Sequence, residues 1–137
     1  MRVQTLKRKN WHLIEKVDSS GSGLVSSFLE GVGANKQREA ARMVALMDRV
    51  ATQGPRLGAA KCHQIQGEIW ELIRGSLRVL FAHDGQKLII CTSGFIKKSR
   101  KTPKTEIRRA ERILEEFRQA RDSNSLEWVK PGQERDQ

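Results

Sequence analysis

Three stretches rich in β-forming residues, Glu68–Arg74, Leu77–His83 and Gln86–Thr92, are separated only by the dipeptides Gly75-Ser76 and Asp84-Gly85. Both dipeptides suit tight hairpin turns, because glycine tolerates positive φ and aspartate bonds to its own backbone. Such a run commits the chain to an antiparallel meander on which the remaining elements must pack. In the middle stretch Leu77, Val79 and Phe81 alternate with Arg78 and Leu80, which puts Arg78 on the face opposite Leu77 and Val79. The third stretch, Leu88-Ile89-Ile90-Cys91, is apolar on both faces and is expected at the sheet centre or under helices.

Two helical patterns flank the meander. Between Asn35 and Gln53 the residues Ala40, Met43, Val44, Met47, Val50 and Ala51 recur at spacings of three and four and share one face, and Gly54-Pro55 ends the pattern. The methionines read as core filler. Thr102-Pro103 marks a second start, with Thr102 as cap and Pro103 at the first helical position. That helix runs to about Arg121 with Ile107, Ala110, Leu114 and Phe117 on its inner face. Upstream, Trp11–Ile14 reads as a first strand, Asp18–Gly23 as a loop and Leu24–Leu29 as a short helix. Gly54–Gln66 reads as a connecting loop. The expected fold is α+β in the order β-α-α-β-β-β-α, a small, mostly antiparallel sheet with helices packed to one side. A chain of 137 residues supports one such domain. Residues 11–121 are assigned to it, 1–10 to a basic N-terminal extension, and 122–137 to a polar, flexible tail in which Trp128 is the one candidate contact.

Lysine and arginine number 26 against 16 acidic residues, a net charge of +10. A surplus of that size on a small body favours polyanions, nucleic acid ahead of an anionic membrane. No apolar run approaches the roughly 20 residues of a membrane span. The basic start Met1–Asn10 leads into Trp11-His12-Leu13-Ile14-Glu15 rather than a signal-peptide apolar region. Cys62 and Cys91 show neither C-x-x-C nor metal-ligand spacing and read as small buried hydrophobes in a reducing, cytoplasmic setting. The chain has no Gly-rich phosphate loop, G-x-S-x-G, H-E-x-x-H or grouped carboxylates, so no metal or cofactor is expected. The sheet offers few exposed aromatic candidates for a single-strand stacking platform.

The sharpest local feature is Phe95-Ile96-Lys97-Lys98-Ser99-Arg100-Lys101-Thr102-Pro103-Lys104, with five basic residues in eight positions at a strand-to-helix junction. One reading is a solvated charged face. The other is a phosphate site, to which Arg78 and Arg74 add from neighbouring strands. Cleavage of RNA by its own 2′-hydroxyl needs a base, an acid for the departing 5′-oxygen, and cations beside the phosphate as charge builds. Guanidinium suits the last task because its donors form a rigid planar fork. On this reading Arg78, Lys97, Lys98, Arg74 and Glu71 are the catalytic candidates. Lys101, Arg100, Lys104, Arg108 and His83 are candidates for contact with RNA. Glu71 is either a base or the partner of an arginine across the sheet. His83, at a hairpin tip, has the right titration range but equally suits a solvated turn; His12 and His63 have less positional support. The chain has no tyrosine.

The segments Gly54-Pro55-Arg56-Leu57-Gly58, Ile69-Trp70-Glu71-Leu72, Leu77-Arg78-Val79-Leu80-Phe81, Asp84-Gly85 and Gly94-Phe95-Ile96-Lys97-Lys98 through Lys101-Thr102-Pro103-Lys104 resemble the phage-derived HigB-like branch of the RelE toxin superfamily. The likeness runs from about Trp11 to Arg121, and Gly-Phe-Ile-Lys-Lys followed by Lys-Thr-Pro-Lys is its most specific part. The resemblance implies a small sheet flanked by helices and a toxin that enters the ribosomal A site and cleaves translated mRNA. It also implies an antitoxin partner, commonly a helix-turn-helix protein, that holds the toxin inactive. It points to Arg78 as a contact of the scissile phosphate, with Lys97 and Lys98 beside it. Two departures stand out. Ile73 separates Trp-Glu-Leu from Arg74, and a one-residue shift turns a strand side chain to the other face. The tyrosine used near the last helix by some members is missing. Two other classes compete: a catalytically silent basic nucleic-acid-binding protein, and a phage-encoded protein that binds a host protein through the same basic surface.

Overall fold

A computed structural model of the chain describes residues 1–130. In chain order the elements are β1 (Arg2–Arg8), β2 (His12–Val17), α1 (Leu24–Glu30), a 3-10 turn (Ala34–Lys36), α2 (Gln37–Gln53), β3 (Cys62–Gln66), β4 (Ile69–Arg74), β5 (Leu77–His83), β6 (Leu88–Ile96), α3 (Lys104–Asp122) and β7 (Glu127–Val129). The class is α+β, but the sheet is larger than the sequence predicts. Seven described strands lie in the order β3-β4-β5-β6-β2-β1-β7. The sheet is mixed, because β2 pairs parallel with β6 and β1 parallel with β7 while the other neighbours are antiparallel.

The meander β4-β5-β6 follows the sequence signals, and its last strand, apolar on both faces, lies at the centre. That burial needs cover on two sides, so the helices do not pack to one side as expected. Val79, Phe81, Ile89 and Cys91 face α1 and α2, whereas Leu80, Ala82, Ile90 and Phe95 face Ala110, Leu114 and Phe117 of α3. In α2 the buried stripe is Ala40, Met43, Leu46, Met47, Val50 and Ala51. Leu46 takes the place expected for Val44, which lies at the stripe margin and is exposed. Cys62 and Cys91 are buried and unpaired. Burial pushes the Cys62 thiol up to about 12, and burial with the nearby Glu15 charge raises that of Cys91.

Three strands fall outside the expected order. The segment read as a basic extension forms β1, whose Val3 is fully buried among its charged neighbours. The segment Gly54–Gln66, expected as loop, contains β3 at the sheet edge. β7 pairs with β1, and Trp128 stacks on His12 at 5.5 Å between ring centroids. His12 also contacts the Thr5 hydroxyl at 2.8 Å, and burial followed by the Arg8 charge lowers its pKa. The part of the expected flexible tail from residue 131 onward lies outside the described residues. No described helix is long and apolar enough to cross a membrane.

The Asp84-Gly85 turn is longer than a two-residue hairpin, because β6 begins only at Leu88. Asp84 is buried rather than a free turn residue. It accepts from Arg118 Nε at 3.1 Å and from Arg121 Nη1, while Arg118 also forks onto Glu68 at 2.6 and 2.9 Å. The β5–β6 turn is thereby clamped to the last turns of α3. Burial alone would raise the Asp84 carboxyl pKa, but the bonds and charges of Arg121 and Arg118 outweigh it and hold the value below the ordinary 3.8. A depressed carboxylate stabilises the fold fully above its unfolded pKa, and that contribution is lost as pH falls through the folded value. Asp84→Asn is therefore expected to cost about 2–4 kcal/mol at pH 7. The gap between the two proteins in denaturant titrations should narrow as the pH falls below 3.8; a gap unchanged by acid would contradict the clamp.

Candidate active site

The face of the sheet that carries α3 also carries a polar constellation at its β3–β4–β5 edge. Antiparallel pairing sets His63 of β3 directly opposite Glu71 of β4, and Glu71 opposite Leu80 of β5. Arg78 lies two residues before Leu80 and so on the same face. Glu71 is 1% exposed. Its Oε1 lies 3.4 Å from His63 Nε2 and 3.5 Å from Arg78 Nε, and its Oε2 accepts from the Thr102 hydroxyl. Thr102 thus does not cap α3; Pro103 takes the cap position without a side-chain bond, and the hydroxyl ties the basic loop to the sheet.

His63 Nδ1 lies 3.0 Å from the Ala59 carbonyl oxygen. An acceptor oxygen therefore faces each ring nitrogen. The 3.4 Å to Glu71 is longer than a normal hydrogen bond, so the carboxylate orients the ring without a close bond to Nε2. Arg78 is fixed through Nη1, which donates to the carbonyls of Gly75 and Leu77 at 2.8 and 2.9 Å. Its Nε is buried without a full hydrogen bond.

Above this floor the segment after β6 arches over to α3, anchored by Lys97 N–H on the Ser76 carbonyl at 2.8 Å. It encloses a cleft of about 690 Å³ lined by His63, Glu71, Thr102 and four cations, Lys97, Arg100, Lys101 and Lys104. Among the described residues no carboxylate pairs with any of the four. Positive potential is thus concentrated over a single buried carboxylate, a setting that attracts phosphate.

The other candidates are distributed differently. Lys98 and Arg108 are exposed beside the cleft without lining it. Arg74 faces α2, where it shares a depression with Arg42, Arg49 and Lys61, as the shift by Ile73 implies. His83 is on that second face too, against Trp11. His63 is the site residue least marked by its sequence surroundings. A turn at Gly67-Glu68 was the available signal, since Gly67 has φ +52° and that turn sets His63 opposite Glu71. No three described His, Cys, Asp or Glu side chains converge as a metal site.

Fold and site together define an α+β protein with a strongly basic cleft over a buried carboxylate. The family model for phage-derived protein Gp49-like matches residues 32–115. That is more than half of the chain, and it includes every residue of the cleft; the chain belongs to this family, which is compatible with a toxin-type function. No curated protein matches the sequence.

Proposed function

We propose that this chain is the toxin of a toxin–antitoxin pair, a RelE/HigB-type endoribonuclease of the cytoplasm that enters the ribosomal A site and cleaves translated mRNA. The observation that carries the reading is the buried Glu71 carboxylate, in contact with His63, Arg78 and Thr102 beneath four unpaired cations. In the reaction the RNA 2′-hydroxyl gives its proton to water as its oxygen attacks the adjacent phosphorus, and the bond to the 5′-oxygen breaks, leaving a 2′,3′-cyclic phosphate and a 5′-hydroxyl. His63 is the proton donor to the departing 5′-oxygen, because it is the imidazole that lines the cleft and its ring reaches solvent. Lys97 and Arg78 stabilise the charge that builds on the phosphate. Glu71 is a positioning residue on the cleft floor, 1% exposed, that orients His63 and Arg78 from below. The antitoxin, a helix-turn-helix protein on this reading, covers the Lys97–Lys101 surface with acidic side chains.

The test is product chemistry. Translated mRNA incubated with the protein in a translation extract should yield fragments ending in 2′,3′-cyclic phosphate. A message carrying a single 2′-deoxy nucleotide at the cut site should resist cleavage there. Fragments with free 3′-hydroxyls, or unimpaired cleavage of the 2′-deoxy message, would contradict the mechanism.

A further inference from the structure

On the opposite face of the sheet, Trp11 before β2, Trp70 on β4, and Phe81 and His83 on β5 meet the segment that follows α2, enclosing a pocket of about 260 Å³. We propose that this pocket takes an unpaired nucleobase with its phosphate, as a site separate from the cleavage cleft. The choice of RNA as the natural source of that base rests on the function proposed above; the pocket chemistry does not.

Four aromatic rings line the pocket. Trp11 and His83 lie 5.0 Å apart between centroids at 55°, and Trp70 and Phe81 lie 6.0 Å apart at 32°. Both tryptophans are only partly buried against the α2 core, so part of each indole remains open to the pocket. The Trp11 ring is held in place, because its backbone N–H bonds the Ala51 carbonyl at 2.8 Å and its indole lies directly over Gly54. At the lip are three polar groups, the Gln53 amide, the Arg56 guanidinium and the His83 ring. Aromatic walls with a few convergent polar groups are the means by which proteins hold an unstacked base, by stacking on its face and hydrogen bonding to its edge.

Arg56 decides between a base and an apolar side chain of a protein partner. Among the described residues it has no carboxylate partner. A nucleotide presents a phosphate to that guanidinium and edge groups to Gln53, whereas an apolar side chain leaves both unmatched. The chain's +10 charge draws the same class of ligand.

The test uses the full chain with His63→Ala, which prevents cleavage, and Trp128→Phe, so that fluorescence reports Trp11 and Trp70. Titration with AMP and, separately, with an unstructured tetranucleotide is expected to give saturable quenching. A larger affinity for the tetranucleotide marks an RNA strand as the source, and equal affinities mark a free nucleotide; both support the site. Trp11→Leu should weaken AMP binding about ten- to a hundred-fold, the range of one lost base-stacking contact. Arg56→Ala, a surface change that leaves the core intact, should weaken it too, and Lys101→Ala should leave it unchanged. The proposal is overturned if quenching does not saturate, if neither Trp11→Leu nor Arg56→Ala alters it, or if Lys101→Ala abolishes it. Absent AMP binding beside intact mRNA cleavage by the native chain removes this site alone. Intact AMP binding with no cleavage removes the function alone.

Discussion

Replacing His63 by alanine is expected to slow mRNA cleavage by about 10²–10⁴-fold, the usual effect of losing a positioned proton donor. The fold should survive. The side chain is 38% exposed and lies on the edge strand, where substitutions change stability by about 0.5 kcal/mol or less. His63→Gln separates proton transfer from hydrogen bonding, because the amide still offers a donor to Ala59 or Glu71 but cannot give up a proton. It should therefore be as slow as the alanine variant. Circular dichroism and thermal melting check the fold, and the cleavage rate in a translation extract checks the chemistry. A His63→Ala protein that cuts at the native rate would remove His63 from the mechanism.

The second large effect concerns stability. Glu15 on β2 is fully buried. Its Oε1 accepts from the backbone N–H groups of Val25 and Ser26, both at 2.9 Å, and its Oε2 from Gln4 at 2.7 Å and from the Ser26 hydroxyl. α1 has no side-chain cap of its own, since Gly23 holds the cap position. The strand thus supplies the cap from across the chain, with a negative charge at the positive end of the helix. Glycine at position 23 is required by this approach, because a Cβ there would sit 2.2 Å from the carboxylate. Glu15→Ala leaves these donors unmet in the interior and is expected to cost about 3–5 kcal/mol. For a chain of this size that lowers the Tm by roughly 10–20 °C. Urea unfolding measures the loss, and a change under 1 kcal/mol would show that water or another group takes over the cap.

Neither Glu15 nor His63 stood out in the sequence, and the reasons are physical. Glu15 follows Leu13-Ile14 in a strand pattern, and nothing local indicates that a helix will end against it. His63 gains its meaning from cross-strand register, and its strand is short, polar on one side and without the alternation that marks β5. The same holds for β1, where Val3 is the single fully buried position in a run of charges. By contrast, β4-β5-β6 and the inner faces of α2 and α3 were legible, because turn dipeptides and periodic apolar residues carry that information locally. The basic run was legible as charge and as a strand-to-helix junction. Its enclosure of Glu71 was not, since Thr102 reads as a helix cap and instead bonds across to β4. β6, apolar on both faces, implied cover on two sides, yet the helices were expected on one side only, because no local signal ties a helix to a face of the sheet.

The central claim is most directly tested by primer extension on a defined mRNA in a translation extract, with the native chain and with His63→Ala and Arg78→Ala, beside the same RNA without ribosomes. The account predicts new 5′ ends during translation with the native chain alone, and none on naked RNA. Translation that stops without new ends, or ends made equally well by the His63 and Arg78 variants, would contradict it.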